Sequence, residues 1–428
     1  MGNLLDLSAR IIDSGIADEP VMRINNELSE VADGVAVVES FSNVVLLATD
    51  DGVVAFDSSG VRTAAAVVDA IRGWTSAPVK HLVYTHGHAD HVGGSAAFAS
   101  AWGPPNVIGH ENVNRRLDRY AATNNWNLLI NARQFGGIPA DFNLSIGDET
   151  ESFLPAGTLR TDIDFRDRHD LVVDGETIEL HHARGETDDH LWAWLSDRRT
   201  AIVGDFLIWN FPNAGNPQKV QRYPIEWAAA LRAMVAKQPD LLLPAHGLPI
   251  AGRSRIADVL TTIADTLDQL VNDVLAMMNS GATLDQIIHT VRVPAETLAK
   301  PYLRPLYDEP EFVVRNVWRQ FGGWWDGAAS RLKPSPDAEL GAVVADLAGG
   351  AAALINRANT EAEAGNLRLA CHLADFAGWA EPDDVGVHAA RAEIYRRRRT
   401  AETSLMSKGV FAAAARQSEA IKDGTRHS

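Results

Sequence analysis

Four side chains able to bind a metal stand within six residues of one another, in the run Thr85-His86-Gly87-His88-Ala89-Asp90-His91. The run follows Val79-Lys80-His81-Leu82-Val83-Tyr84, which reads as a short buried strand. It precedes Gly93-Gly94-Ser95, which leads into an Ala-rich helix. Imidazole and carboxylate suit a borderline divalent ion such as zinc. Gly87 and Ala89 are small, so the backbone can fold sharply and turn several side chains inward. Ligand sites of open α/β sheets lie beyond the carboxyl ends of strands, where this cluster sits. His86 and His88 can share one ion, while Asp90 and His91 face a second.

One cluster cannot complete two ions. Further ligands are expected at later strand ends, and three candidates each close an apolar run. Glu186 lies in the segment His182-Ala-Arg-Gly-Glu-Thr-Asp-Asp-His190, Asp205 follows Ala201-Ile-Val-Gly204, and His246 follows Leu241-Leu-Leu-Pro-Ala245.

The surrounding pattern is α/β. Val35–Val38, Val44–Ala48 and Val53–Phe56 read as strands, with Asp50-Asp51-Gly52 as a turn. Val61, Ala65, Val68 and Ile71 share a helical face that Gly73 ends. A second stretch, residues 170–252, holds five more apolar runs. Past residue 255 the chain turns Ala-, Leu- and Arg-rich, with helices expected over 255–279, 338–357, 361–377, 385–403 and 405–421. Strands alternating with helices imply an α/β layered domain over residues 1–255, and the change of texture implies a helical domain over 256–428. A softer boundary falls at Leu332-Lys-Pro-Ser-Pro336.

Composition narrows the function. A chain of 428 residues needs no disulfide staples, and Cys371, the single cysteine, can form no internal one. The net charge of −17 argues against nucleic acid and anionic membranes as partners. An anionic substrate would need a local positive site. No basic segment followed by an apolar core opens the chain, and no apolar run reaches the ~20 residues of a membrane span, so a cytoplasmic location is expected. No Gly-x-Ser-x-Gly elbow suggests a serine nucleophile.

The order His-x-His-x-Asp-His, a Gly-containing loop, Gly204-Asp205 and a late His246 resembles the metallo-β-lactamase superfamily over residues 30–252. The resemblance implies an αββα sandwich. It makes Asp57, in Phe56-Asp57, an orienting residue rather than a ligand. Where that family commonly has Pro-Gly-His-Thr, this chain has Arg184-Gly185-Glu186-Thr187, with glutamate in place of histidine. That departure resembles the alkylsulfatase branch. So do Tyr307-Asp-Glu-Pro-Glu-Phe312, Gly322-Gly-Trp-Trp-Asp-Gly327, Ala348-Gly-Gly350 and Leu367–Asp375, which are similar to the helical dimerisation domain of those enzymes.

The resemblance implies two zinc ions per chain. His86, His88 and Glu186 would hold the first, Asp90, His91 and His246 the second, and Asp205 would bridge them. Asp188, Asp189 and His190 are alternatives to Glu186 in the same loop. The reaction implied is cleavage of a sulfate ester by metal-bound hydroxide, with Asp90, Asp57, Asn210 and Arg222 as the catalytic set and a homodimer as the assembly. The histidine that usually precedes the asparagine is Trp209 here, and an arginine expected midway is replaced within the turn Asn213-Ala-Gly-Asn216. Trp126, Trp209 and Phe211 offer an apolar wall for a small anionic or ester substrate. Two other readings stay open: a hydrolase of a carboxylic ester, lactone or amide on the same scaffold, and a metal-binding interaction scaffold.

Overall fold

Alternating side chains of the strands set the layers in the computed structural model, which describes residues 4–135 and 152–422. The strands are β1 (Leu28–Ala32), β2 (Val35–Val38), β3 (Val44–Thr49), β4 (Gly52–Phe56), β5 (Val79–Val83), β6 (Asn106–His110), β7 (Ile163–Phe165), β8 (Arg168–Val173), β9 (Glu176–His182), β10 (Leu191–Leu195), β11 (Thr200–Gly204), β12 (Leu241–Pro244) and β13 (Ile250–Ala251). One sheet runs β1 to β7 in chain order; the other runs β13-β12-β11-β10-β9-β8. β4, β5, β6 and β7 are mutually parallel, as are β11 and β12. Their carboxyl ends lie where the candidate ligands follow.

Both faces of the central strands are buried. Val35, Val45, Leu47 and Phe56 from the first sheet meet Leu180, Leu191, Ala193, Ile202 and Leu243 from the second, forming the sandwich core. The opposite face of the first sheet, with Ala36, Leu46 and Leu82, is covered by the helices Ala64–Trp74, Ser95–Trp102 and Asn112–Ala122. The opposite face of the second, with Trp192, Trp194 and Val203, is covered by Leu4–Ser14, Pro224–Lys237 and Arg253–Asn279. The fold is an αββα sandwich followed by helices.

Two expectations need correction. Val61 and Ala65 are exposed, and the buried stripe of the first helix is Ala64, Val67, Val68 and Ile71; the helix runs through Gly73 to Trp74. The expected helix over 338–357 is broken into Asp337–Ala348 and Ala351–Glu363, because Gly349 and Gly350 both take positive φ. The change of texture near 255 coincides with the start of the helix Arg253–Asn279. Ile256, Val259, Leu260 and Ile263 pack in the core that contains Trp192 and Trp227. The first unit comprises described residues 4–127 and 152–324, and the second 128–135 and 325–422. In the second unit the helices from Asp337 to Lys422 pack on small side chains, among them Ala358, Ala370, Ala374 and Ala377. No single helix among the described residues is long and apolar enough to cross a membrane.

The turn after the histidine cluster is docked on β4's exit. A Cβ at Gly94 would stand 2.0 Å from the Ser58 carbonyl oxygen and 3.0 Å from Ala64 Cβ. Gly94→Ala is therefore expected to destabilise the chain by about 1–3 kcal/mol, read as a lower urea midpoint with unchanged slope.

Candidate metal centre

Five chain segments meet at one end of the sandwich. β4 delivers Asp57, β5 the 86–91 turn, the β9–β10 loop Glu186, β11 Asp205 and β12 His246. Gly204 lets two of them touch. Its φ is +51°, and a Cβ there would lie 2.7 Å from His190 Nε2 and 2.9 Å from Thr85 Cβ. Only glycine fits so close an approach at that backbone angle.

Asp57 sits at φ +62° and is buried. Its carboxylate accepts the Thr85 backbone N–H at 2.7 Å and the Thr85 hydroxyl at 2.8 Å. It also accepts His91 Nδ1–H at 2.8 Å. This bond fixes the His91 ring and turns Nε2 toward the centre, the arrangement by which carboxylates orient metal-binding imidazoles.

Two donor groups result: His86, His88 and Asp205, and Asp90, His91 and His246, with donor atoms within 4.8 Å of one another in each group. The second is regular. His91 Nε2 is 3.5 Å from Asp90 Oδ2 and 3.4 Å from Asp205 Oδ1; His246 Nε2 is 3.4 Å and 3.5 Å from the same two oxygens. Two ligands bound at ~2.1 Å on one tetrahedral ion stand about 3.4 Å apart. His91 Nε2 and Asp205 Oδ1 are buried and have no hydrogen-bond partner among the described residues, so these residues fit a cation. Asp205 faces both groups, since its Oδ2 is 3.8 Å from His86 Nε2. In the first group His86 Nε2 is 2.8 Å from His88 Nδ1, and Glu186 Oε1 is 3.6 Å from His88 Nδ1. The expected seven side chains are brought together.

Electrostatics divides the imidazoles. Burial, reinforced by the neighbouring cationic groups, holds His86 and His88 well below the ordinary histidine range. That favours their neutral form, the form in which an imidazole binds a metal. Burial also opposes charge on His91, but the carboxylates of Asp205, Asp90 and Asp57 outweigh it and hold His91 well above that range. Burial pushes the Glu186 carboxyl up to about 8 against the pull of Arg222, and the Asp205 carboxylate adds to the rise.

Glu186 is held by residues outside the ligand list. Arg222 Nη1 pairs with Glu186 Oε1 at 2.9 Å and donates to the Glu186 main-chain oxygen at 2.5 Å. Asn213 Nδ2 donates to Glu186 Oε1 at 2.5 Å. Asp308 shapes that turn: its buried carboxylate accepts the backbone N–H groups of Gly215 at 2.7 Å and Asn216 at 3.2 Å. Sequence reasoning named Arg222 but passed over Asn213 and Asp308. The available signal was Asn213 lying nine residues before Arg222 in a Pro/Gly loop.

Other expected residues stand elsewhere. Asn210 donates to the Ile208 carbonyl at 3.3 Å and contacts Met22 Sδ at 3.5 Å, neither of them in the donor set. Trp209 and Phe211 are fully buried in the core under the second sheet, and Trp126 is exposed, so they form no shared apolar wall. In the Glu186 loop, Asp189 binds Arg116 and Gly87, Asp188 binds Arg116, and His190 Nε2 accepts the Asp205 backbone N–H at 3.1 Å. These three side chains brace the ligands.

Residues 37–246 match the family model of the metallo-beta-lactamase superfamily, and residues 283–420 match that of alkyl sulfatase dimerisation. A linear primary-alkylsulfatase from a Pseudomonas strain is 27% identical over 356 residues, spanning 77% of this chain and 65% of the relative. An (R)-specific secondary-alkylsulfatase of Pseudomonas sp. is 24% identical, spanning 82% of this chain and 56% of its own length. The chain thus spans between half and two thirds of the curated relatives it matches. The solved inverting sec-alkylsulfatase Pisa1 of Pseudomonas sp. superposes with a TM-score of 0.79 at 21% identity, covering 92% of this chain and 66% of that one.

Because Asp57 fixes the His91 tautomer, Asp57→Asn is expected to weaken binding of added zinc about 10- to 100-fold. Competition against a chromophoric chelator reads the change, and an unaltered affinity would refute the orienting role.

Proposed function

Given that the chain belongs to the metallo-β-lactamase superfamily and carries an alkyl sulfatase dimerisation region, we propose that it is a dinuclear zinc hydrolase of sulfate esters. The observation that carries this is the set of four separations of 3.4–3.5 Å among Asp90, His91, Asp205 and His246, with Asp205 shared by the first group. His86, His88 and Glu186 would hold the first ion, Asp90, His91 and His246 the second, and Asp205 both. When bound, such a pair of ions supplies Lewis acidity, lowering the pKa of a water and neutralising charge on the substrate.

The chain's own residues do the rest. Asp57 and His190 fix His91 and Asp205. Arg222 and Asn213 fix Glu186. The overall charge of −17 repels an anion, so positive groups must gather at the site. Arg222 is buried there. The half-buried Lys219 is pushed down to about 7 by burial and by Arg222, while Asp90 and Glu186 favour its charged form. These two cations are the groups that would receive a sulfate.

The test is sulfate release by the purified, metal-loaded chain from alkyl sulfates of several chain lengths, beside a lactone and a β-lactam. Turnover of the sulfates is expected; turnover of only the lactone or the β-lactam would overturn the sulfate reading. Arg222→Met is expected to lower kcat/KM by about 10²-fold or more.

The assembly proposed is a homodimer. Support comes from the match over 283–420 and from the helix Asp337–Ala348, whose Leu340, Val343 and Leu347 lie exposed at i, i+3 and i+7. A second copy would cover this stripe. Light scattering should give twice the mass of one chain, and Leu347→Asp should shift it toward the monomer; a wild-type monomer at micromolar concentration would refute the dimer.

A further inference from the structure

A buried ion pair stands behind the histidine turn. Arg116, on the helix Asn112–Ala122, is 4% exposed and Asp189 is fully buried. Arg116 Nε donates to Asp189 Oδ2 at 2.8 Å, and the same guanidinium grips Asp188. That Asp189 oxygen also accepts the backbone N–H of Gly87 at 3.0 Å. Gly87 separates His86 from His88, and Asp188 and Asp189 follow Glu186 by two and three residues. One guanidinium and one carboxylate therefore tie together the two segments that carry His86, His88 and Glu186.

The contact is close. A Cβ on Gly87 would meet Arg116 Cδ and Asp189 Oδ2, each at 3.0 Å. Burial opposes ionisation of Asp189, but the guanidinium holds it down to about 2, so the acceptor for Gly87 stays charged. A buried ion pair is an uncertain source of stability, because desolvation offsets much of its attraction. Its position against one peptide of the turn gives it a different use. Among the described residues the second donor group shows no such bond to Arg116; its braces include Asp57 on His91 and Ser42, whose Oγ lies 3.1 Å from His91 Nδ1.

We infer that Arg116 and Asp189 are positioning residues that set the geometry of the first donor group, and with it the affinity for one of two metal ions. The inference rests on the reading of the centre as a two-metal site. It assigns the pair no contact with substrate.

Three variants of the full chain test it: Arg116→Met, which keeps the apolar stem; Asp189→Asn, which keeps the size and an oxygen acceptor; and Arg116→Lys, which keeps the charge but cannot span both acids. Each would be stripped of metal and titrated with zinc against a chromophoric chelator, and with cobalt followed by its visible absorption. The wild type is expected to bind two ions. Arg116→Met and Asp189→Asn should weaken one of them about 10- to 100-fold and leave the other unchanged, with Arg116→Lys between. The melting temperature of the metal-free chain is the control. Two unchanged affinities would overturn the inference. So would equal weakening of both ions together with a lower metal-free melting temperature, which marks a general loss of structure. A wild-type chain that takes up no ion would instead overturn the metal reading itself, and the inference with it.

Discussion

One carboxylate joins the two halves of the centre. Asp205 presents Oδ1 to His91 and His246 and Oδ2 to His86. Its position depends on β11, which pairs with β10 on one side and β12 on the other. It depends also on Gly204, whose missing side chain admits Thr85 and His190, and on the bond from the Asp205 N–H to His190. His190 in turn stacks flat on Phe206, at 4.1 Å between centroids. The metal centre is thus held from the apolar core outward, and a change in core packing beneath Phe206 would reach Asp205 through one ring.

Collecting these groups is costly in itself. Asp57, Glu186 and Asp205 are buried, as are His86, His91 and His246. Charged groups away from water must be paired or must ligate a metal. Some have protein partners: Asp57 has Thr85 and His91, and Glu186 has Arg222 and Asn213. Asp205 Oδ1 and His91 Nε2 face each other at 3.4 Å but have no hydrogen-bond partner among the described residues. The division is informative. The orienting carboxylate of Asp57 has both oxygens bonded to protein, whereas the regular second group keeps donor atoms turned toward one another at ligand spacing.

The strands were legible because their signal is local. β2 to β5 and β8 to β12 fall on apolar runs closed by turn residues, and the candidate ligands after β5, β9, β11 and β12 could be chosen by their position after the run. The braces were not legible. Arg116 and Asp189 lie 73 residues apart, Asp308 and Gly215 93 apart, and nothing local distinguishes such residues from surface polar ones. Trp209 and Phe211 misled for the same reason: an apolar side chain near a site carries no mark of which way it points. The helix Arg253–Asn279 looked like the start of a new domain because composition changes there, but its apolar face completes the cover of the second sheet. Composition reports the type of element; which layer the element joins is decided by the face it must bury.

The glutamate in the histidine position gives the site its electrostatic character. If two divalent cations bind, ionised Glu186, Asp90 and Asp205 would supply three negative charges beside them, one short of neutralising the pair. A chain that carries −17 overall would then keep little positive potential at the mouth for an anion. Arg222 changes that balance, because it pairs directly with Glu186 and cancels the charge that replacing an imidazole introduces. Exchanging histidine for glutamate and burying an arginine against it are therefore one adjustment rather than two. A third oxygen-donor side chain enters the centre while its net charge stays close to that of an imidazole site. Asn213 donates to the same Glu186 oxygen that Arg222 pairs with, and Asp308 holds the turn just after it, so a loop without regular structure helps to hold the site.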